Sequence, residues 1–170
     1  MVYLISEKTL KTYSLINDNV DTAFITPSIQ IAQEIDLVNV IGSKLYNHII
    51  NLVADGSIEE AANVNYKKLL DDYITNYLIY ATMKEIQLPL AYKQRNLGVI
   101  QTTDTNTITP SLKDVQYLID YYEDKMDWYG NRLSGYLCKH SQLFPQYSHY
   151  TNGDEVGANG KSYNCNLFLD

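Results

Sequence analysis

Residues 109–140 read TPSLKDVQYLIDYYEDKMDWYGNRLSGYLCKH, and the spacing of their apolar side chains decides the fold. Ser111 stands three residues before Asp114, the arrangement in which a hydroxyl and a carboxylate cap each other's backbone at a helix start. From there Val115, Ile119, Tyr122, Met126, Tyr129, Leu133 and Tyr136 recur at alternating steps of four and three. That repeat keeps one seam of a long helix on a partner helix. The partner lies upstream. After Tyr66, residues Leu69, Leu70, Tyr73, Ile74, Tyr77, Leu78 and Ala81 form one stripe, while Lys67, Lys68, Asp71, Asp72 and Asn76 turn away from it. The two segments predict an antiparallel pair that shorter helices complete into a bundle. Gly130 and Gly135 lie off the seam and each lowers helix propensity by about 1 kcal/mol relative to alanine. They mark either a close approach of another backbone or a plain loss of propensity.

The shorter helices follow from their caps. Ser6 caps a helix that runs to about Ser14, and an Asn/Asp-rich break follows at Asn17 to Asp21. Thr26 before Pro27 reads as a capping hydroxyl with proline at the first helical position, and Ile29, Ala32 and Ile35 or Asp36 continue at helical spacing. A turn of helix from Leu37 to Ile41 stops at Gly42. Ser43 is expected to cap the next helix, whose Leu45, Tyr46, Ile49, Ile50 and Val53 share a face that ends at Asp55 and Gly56. Ser57 and Glu60 have capping-box spacing, with Asn63 as an alternative restart. Pro89 is expected to end or kink the long helix. Tyr92 to Thr103 carries the turn residues Asn96 and Gly98 beside Val99 and Ile100, and reads as a small β-hairpin or an extended arm with Lys93 and Arg95 adding positive charge.

Ser141 to Asp170 is different in kind. It is rich in Tyr, Asn and Gly, yet closes on an apolar string in which Tyr163, Cys165, Leu167 and Leu169 point one way and Phe168 the other. Extended, such a segment reaches about 100 Å, and its period of two suggests a strand. That strand either adds to a sheet on a neighbour or pairs back on the chain's own Tyr92 to Thr103 hairpin. The expected organisation is therefore a mainly α protein: a helical bundle domain at 1–140, with an arm at about 92–105, and a long extended tail at 141–170.

The chain has 170 residues, 45% of them hydrophobic, enough for one domain with a real core. Lys and Arg number 13 against 20 Asp and Glu, a net charge of −7, which argues against a surface that grips a phosphate backbone. Tyrosine is used 16 times against three Phe and one Trp. Its ring suits surfaces buried on assembly, or equally a partly wet helical core. Cys138 and Cys165 have no metal or redox spacing, so free thiols are expected. There is no signal-peptide pattern and no apolar run long enough for a membrane span.

No chemistry stands out. His48, His140 and His149 lack ligand partners at metal spacing, so no metal is expected. The acid pairs Glu59 and Glu60, Asp71 and Asp72, and Glu123 and Asp124 are adjacent on helices and diverge by about 100°. Nucleophile-elbow, P-loop and dinucleotide motifs are missing. No enzyme activity and no cofactor are expected.

The order of several strings resembles a known family. Ile25-Thr26-Pro27-Ser28-Ile29-Gln30-Ile31-Ala32-Gln33-Glu34-Ile35, then Val40-Ile41-Gly42-Ser43-Lys44-Leu45-Tyr46, resembles the opening of phage head-tail connector (adaptor) proteins, especially those of Bacteroides and crAss-like phages. Leu69-Leu70-Asp71-Asp72-Tyr73-Ile74, the run Tyr121 to Leu137 with Arg132-Leu133 and Tyr136-Leu137, and Leu143-Phe144-Pro145-Gln146-Tyr147 agree in order. The resemblance implies a dodecameric ring beneath the portal of a DNA-filled capsid. A further tail or ring protein would sit below, and DNA would pass through the channel without specific binding. It also implies a virion location after assembly in the bacterial host cytoplasm. In such a ring the tail would be a clasp on the portal or a sister subunit, with Phe144, Tyr147, Tyr163, Cys165, Leu167, Phe168 and Leu169 as its interaction residues by the strand reading. The Tyr92 to Thr105 arm, with Lys93, Arg95, Val99 and Ile100, would make a second contact. A non-viral helical interaction module is the alternative.

Overall fold

The computed structural model describes residues 2–16, 19–95, 98–101, 111–149 and 155–158. The protein is mainly helical, and local chemistry sets where most helices begin. Helix α1 (Glu7–Tyr13) starts where Ser6 accepts a hydrogen bond from the Thr9 N–H at 3.0 Å. Helix α2 (Thr22–Ile31) starts earlier than the proline suggests, because the Asp21 carboxylate accepts from the Ala23 N–H at 2.9 Å. Aspartate is the better cap than threonine, and the earlier start also buries Ile25. Pro27 therefore sits inside the helix and not at its first position. A π-helical turn (Ala32–Leu37) carries the chain into α3 (Val38–Ile41) without a break.

Gly42, at φ 79° and ψ 154°, then turns the chain into α4 (Ser43–Ala54). Ser43 does not cap that helix with its side chain. After α4, Gly56 takes a left-handed conformation, and two 3-10 turns (Ser57–Glu59 and Ala61–Asn63) replace the expected capping box. The Asp55 carboxylate wins the Ser57 N–H at 2.9 Å, so Glu60 has no role in capping. Helix α5 (Val64–Leu69), a second π turn (Leu70–Ile74) and α6 (Thr75–Ala91) are continuous in backbone conformation. Pro89 lies within α6 and does not end it. It sits so near the C-terminus that little is lost, and Leu90 beyond it packs on the core. Two four-residue strands, β1 (Tyr92–Arg95) and β2 (Gly98–Gln101), run antiparallel with Tyr92 opposite Gln101.

Helix α7 (Leu112–Lys139) begins at the expected reciprocal cap. The Ser111 hydroxyl accepts from the Asp114 N–H at 3.3 Å and the Asp114 carboxylate accepts from the Ser111 N–H at 2.9 Å. Its seam is buried at Val115, Tyr122, Met126 and Leu133. Tyr73 stacks on Tyr136 at 4.1 Å between ring centroids and Tyr80 on Tyr129 at 5.0 Å. The numbers rise on α6 as they fall on α7, so the pair is antiparallel. Tyrosine thus supplies part of a half-wet internal ladder. Gly130 accommodates a ring and not a backbone: a Cβ there would lie 3.2 Å from the Tyr77 ring. Gly135 has open space around it and is a plain loss of propensity. Leu10, Ile25, Leu45, Leu78 and Phe144 are among the fully buried side chains that join all parts of the bundle.

Candidate interaction site

The first part of the C-terminal segment does not stand free. Phe144 is fully buried, edge-on to Tyr66 at 5.4 Å and tilted on Tyr136 at 6.0 Å. The Tyr66 hydroxyl donates to Gln146 at 2.7 Å. Tyr147 is half-buried, with Ser134 beside its hydroxyl. Burial pushes the Tyr147 phenol up, with Ser134 offsetting part of the effect. Within the chain itself, Phe144 and Tyr147, expected as docking residues, pack against the bundle core. An apolar string after a long helix satisfies either use, because burial is the same force on both sides of an interface.

Residues 155–158 close over the N-terminus of α4 like a strap. The Ser43 N–H donates to the Val156 carbonyl at 2.9 Å, and the Val156 N–H donates back to the Ser43 hydroxyl at 2.8 Å. The Ala158 N–H reaches the Ser148 carbonyl at 3.0 Å, His149 Nδ1 donates to the Ala158 carbonyl at 2.8 Å, and Lys44 pairs with Glu155 at 3.2 Å. Gly42 makes room: a Cβ there would meet the Ala158 nitrogen at 3.0 Å and the Val156 oxygen at 3.3 Å. The first free N–H of α4 is thus satisfied by a segment more than a hundred residues away. Of the segment from Ser141 expected as an extended tail, residues 141–149 and 155–158 are described, and Phe144, Tyr147 and the 155–158 strap lie against the bundle. Tyr163, Cys165, Leu167, Phe168 and Leu169 lie outside the described residues. Lys93, Arg95, Val99 and Ile100 fall in the two paired strands.

Helix α7 has a second face that the seam analysis missed. Tyr117 (72% exposed), Tyr121 (44%) and Trp128 (59%) fall within about 40° of one another around the helix at 3.6 residues per turn. They lie roughly opposite the buried seam, with Leu118 beside them, also exposed. The Lys125 ammonium sits 5.3 Å over the Tyr121 ring. The signal was present in the sequence, as a second run at steps of four and seven.

Between the Ala32–Leu37 turn and α7 lies a cavity of about 230 Å³, lined by Asp36, Val40, Tyr77, Met126, Asp127 and Asn131 among others. Asp36 pairs with Lys84 at 3.1 Å, and Lys84 also meets Glu85 at 2.9 Å. Burial pushes the Asp36 carboxyl up, and Lys84 offsets this only in part. Burial pulls Lys84 down, yet the Glu85 and Asp36 carboxylates outweigh it and leave the amine above its usual range. Burial likewise raises the Tyr77 phenol, with Asp36 and Asp127 adding to it. A lysine at helical spacing gave no sign in the sequence of this cross-helix pair.

Among the described residues no group of three or more His, Cys, Asp or Glu is placed to hold a metal ion, and no helix is long and apolar enough to cross a membrane. The imidazoles are occupied locally. His140 Nδ1 donates to the Tyr136 carbonyl at 2.9 Å and His48 lies edge-on to Tyr66.

These features define a mainly helical bundle protein whose long C-terminal helix has one buried and one exposed aromatic face. The chain belongs to the family of unknown function DUF6712, which matches residues 37–156. That span holds the α6–α7 pair and reaches the strap at Val156. No curated protein and no solved structure matches the chain.

Proposed function

We propose that this chain is a structural virion protein, a head-tail connector that forms a ring beneath a phage portal and links capsid to tail. The observation that carries the reading is the exposed aromatic face of α7, in a chain whose ordered strings resemble connectors. Three large rings aligned on one helix face are costly to leave in water and mark surfaces that another protein covers. In a closed ring the same two unlike surfaces recur around the axis, so this face would meet a different face of the next copy. The net charge of −7 suits a channel wall that lets DNA pass without gripping it. The arm at 92–105 and the residues beyond Ala158 would reach the portal or a sister subunit. The clasp is thereby narrowed to Tyr163, Cys165, Leu167, Phe168 and Leu169.

Native mass measurement and electron microscopy of the purified full-length chain, alone and with the portal protein of the same phage, test this. A closed ring of identical copies, or one that forms on the portal, is expected. A persistent monomer that ignores the portal would refute the reading and favour the non-viral interaction module.

A further inference from the structure

We propose that Trp128 of one copy of this chain seats in a groove between α1 and the Leu70–Ile74 turn of the next copy, as knob and hole of a head-to-tail contact. The inference rests on the ring reading and names the two surfaces that would meet in it. The groove has a volume of about 360 Å³. Leu4, Ile5, Leu70 and Ile79 give it apolar walls, and Asp71 and Asn76 add hydrogen-bond acceptors. Tyr13 also lines it and is 70% exposed. An indole suits that mixture, as a flat apolar ring with a single N–H donor.

Trp128 is held ready for insertion. It is the chain's single tryptophan and is 59% exposed, yet it stands edge-on to Tyr129 at 4.8 Å, and Tyr129 is stacked on Tyr80 of α6. A ring already fixed by its neighbours loses little freedom on binding, which favours it as the anchor of an interface.

Knob and groove lie on opposite sides of the α6–α7 pair. On α6, Tyr77 and Tyr80 meet α7 at Gly130 and Tyr129, whereas Thr75 and Ile79 line the groove about 150° further around the helix. One copy therefore cannot fill its own groove, and successive copies present unlike surfaces to each other, as a closing ring requires. Charge complements the fit. Lys125 and Arg132, three residues before and four after Trp128, edge it on one side, and Asp124 and Asp127 edge it on the other. The groove has Asp71 exposed in one wall and Lys8 exposed beside the other. Asp71, Lys125 and Arg132 form no ion pair among the described residues, and Lys67, four residues before Asp71, is bonded to Glu59. In one orientation of the knob, opposite signs meet on both edges.

Native mass measurement of the full-length chain across a concentration series tests the pairing, with the portal protein present if wild type assembles only there. Trp128→Ala removes the knob and Asp71→Arg obstructs the groove. Each should raise the concentration needed for assembly by about tenfold or more. Each variant keeps one intact surface, so mixing the two at high concentration should give a 1:1 dimer that grows no further. Both positions are exposed, so thermal melts of the variants at low concentration should match wild type; Trp128→Gln and Thr9→Arg repeat the test at the same surfaces where a first variant melts lower. If wild type assembles and either surface variant assembles equally well, or the mixture stays monomeric, this inference falls and the ring reading stands. A Trp128→Ala ring that forms normally but no longer binds the portal would assign Trp128 to the portal, which overturns it too. A wild-type chain that stays monomeric with and without the portal protein overturns both.

Discussion

Substituting Gly42 by alanine separates the strap from the rest of the fold. At φ 79° and ψ 154° the backbone is in a region that side chains avoid, at a cost of about 1–3 kcal/mol. The new Cβ would also lie 3.0 Å from the Ala158 nitrogen. That neighbour is backbone and cannot rotate away, so the strap has to move. Three hydrogen bonds depend on its position: Ser43 N–H to Val156, Val156 N–H to Ser43, and Ala158 N–H to Ser148. At about 0.5–1.5 kcal/mol each they add up to about 2–4 kcal/mol, and the loss is capped there because the strap can open without unfolding the bundle. The expected total is about 3–7 kcal/mol, or a Tm lower by about 6–28 °C for a chain of this size. Gly56→Ala is the control, since Gly56 also has positive φ but nothing within 4 Å of its Cβ position, leaving only a backbone term of about 1 kcal/mol. Calorimetry compares the two variants, and hydrogen exchange reads the Val156 and Ala158 amides. Equal destabilisation by both, with those amides still protected, would refute the reasoning.

Phe144→Ala should destabilise the monomer by about 3–5 kcal/mol, visible in a denaturant melt at any concentration; a loss confined to assembly would restore its role as a docking residue. Lys84→Met removes the partner of the part-buried Asp36 and should cost about 1–3 kcal/mol after allowance for residual solvent, read as a shift in urea midpoint. Because the folded Asp36 carboxyl lies above its unfolded value, the native state holds the proton more tightly between the two. Its contribution therefore favours folding as pH falls through that window and is lost as pH rises, and Asp36→Asn should flatten this part of a stability–pH profile. Gly135→Ala should stabilise the chain by up to about 1 kcal/mol in a thermal melt, as nothing lies within 4 Å of its Cβ position.

The long helix was the most legible part of the sequence, because Ser111 and Asp114 cap it locally and its seam needs no knowledge of the partner. The α6 stripe was legible for the same reason. Where two local signals competed, the ranking failed. Thr26 with Pro27 resembles a helix start, but Asp21 caps more strongly and lets Ile25 reach the core. Ser43 looked like a cap until Val156 claimed both its N–H and its hydroxyl across more than a hundred residues. Phe144 shows a deeper limit, since an apolar string reports that something will bury it and not whose side chains will do so. The Ala32–Leu37 π turn leaves no periodic trace, so the cavity that Asp36 lines beside Tyr77 was not visible from spacing.

The chain's single tryptophan, Trp128, lies on the exposed face of α7 and reports directly on whether another protein covers it. Fluorescence emission and quenching by a soluble quencher, compared between the monomer and the assembled particle, make the measurement. The account predicts a blue-shifted, quencher-protected Trp128 in the particle and a solvent-exposed one in the monomer. A tryptophan that stays open to water in the particle would contradict it.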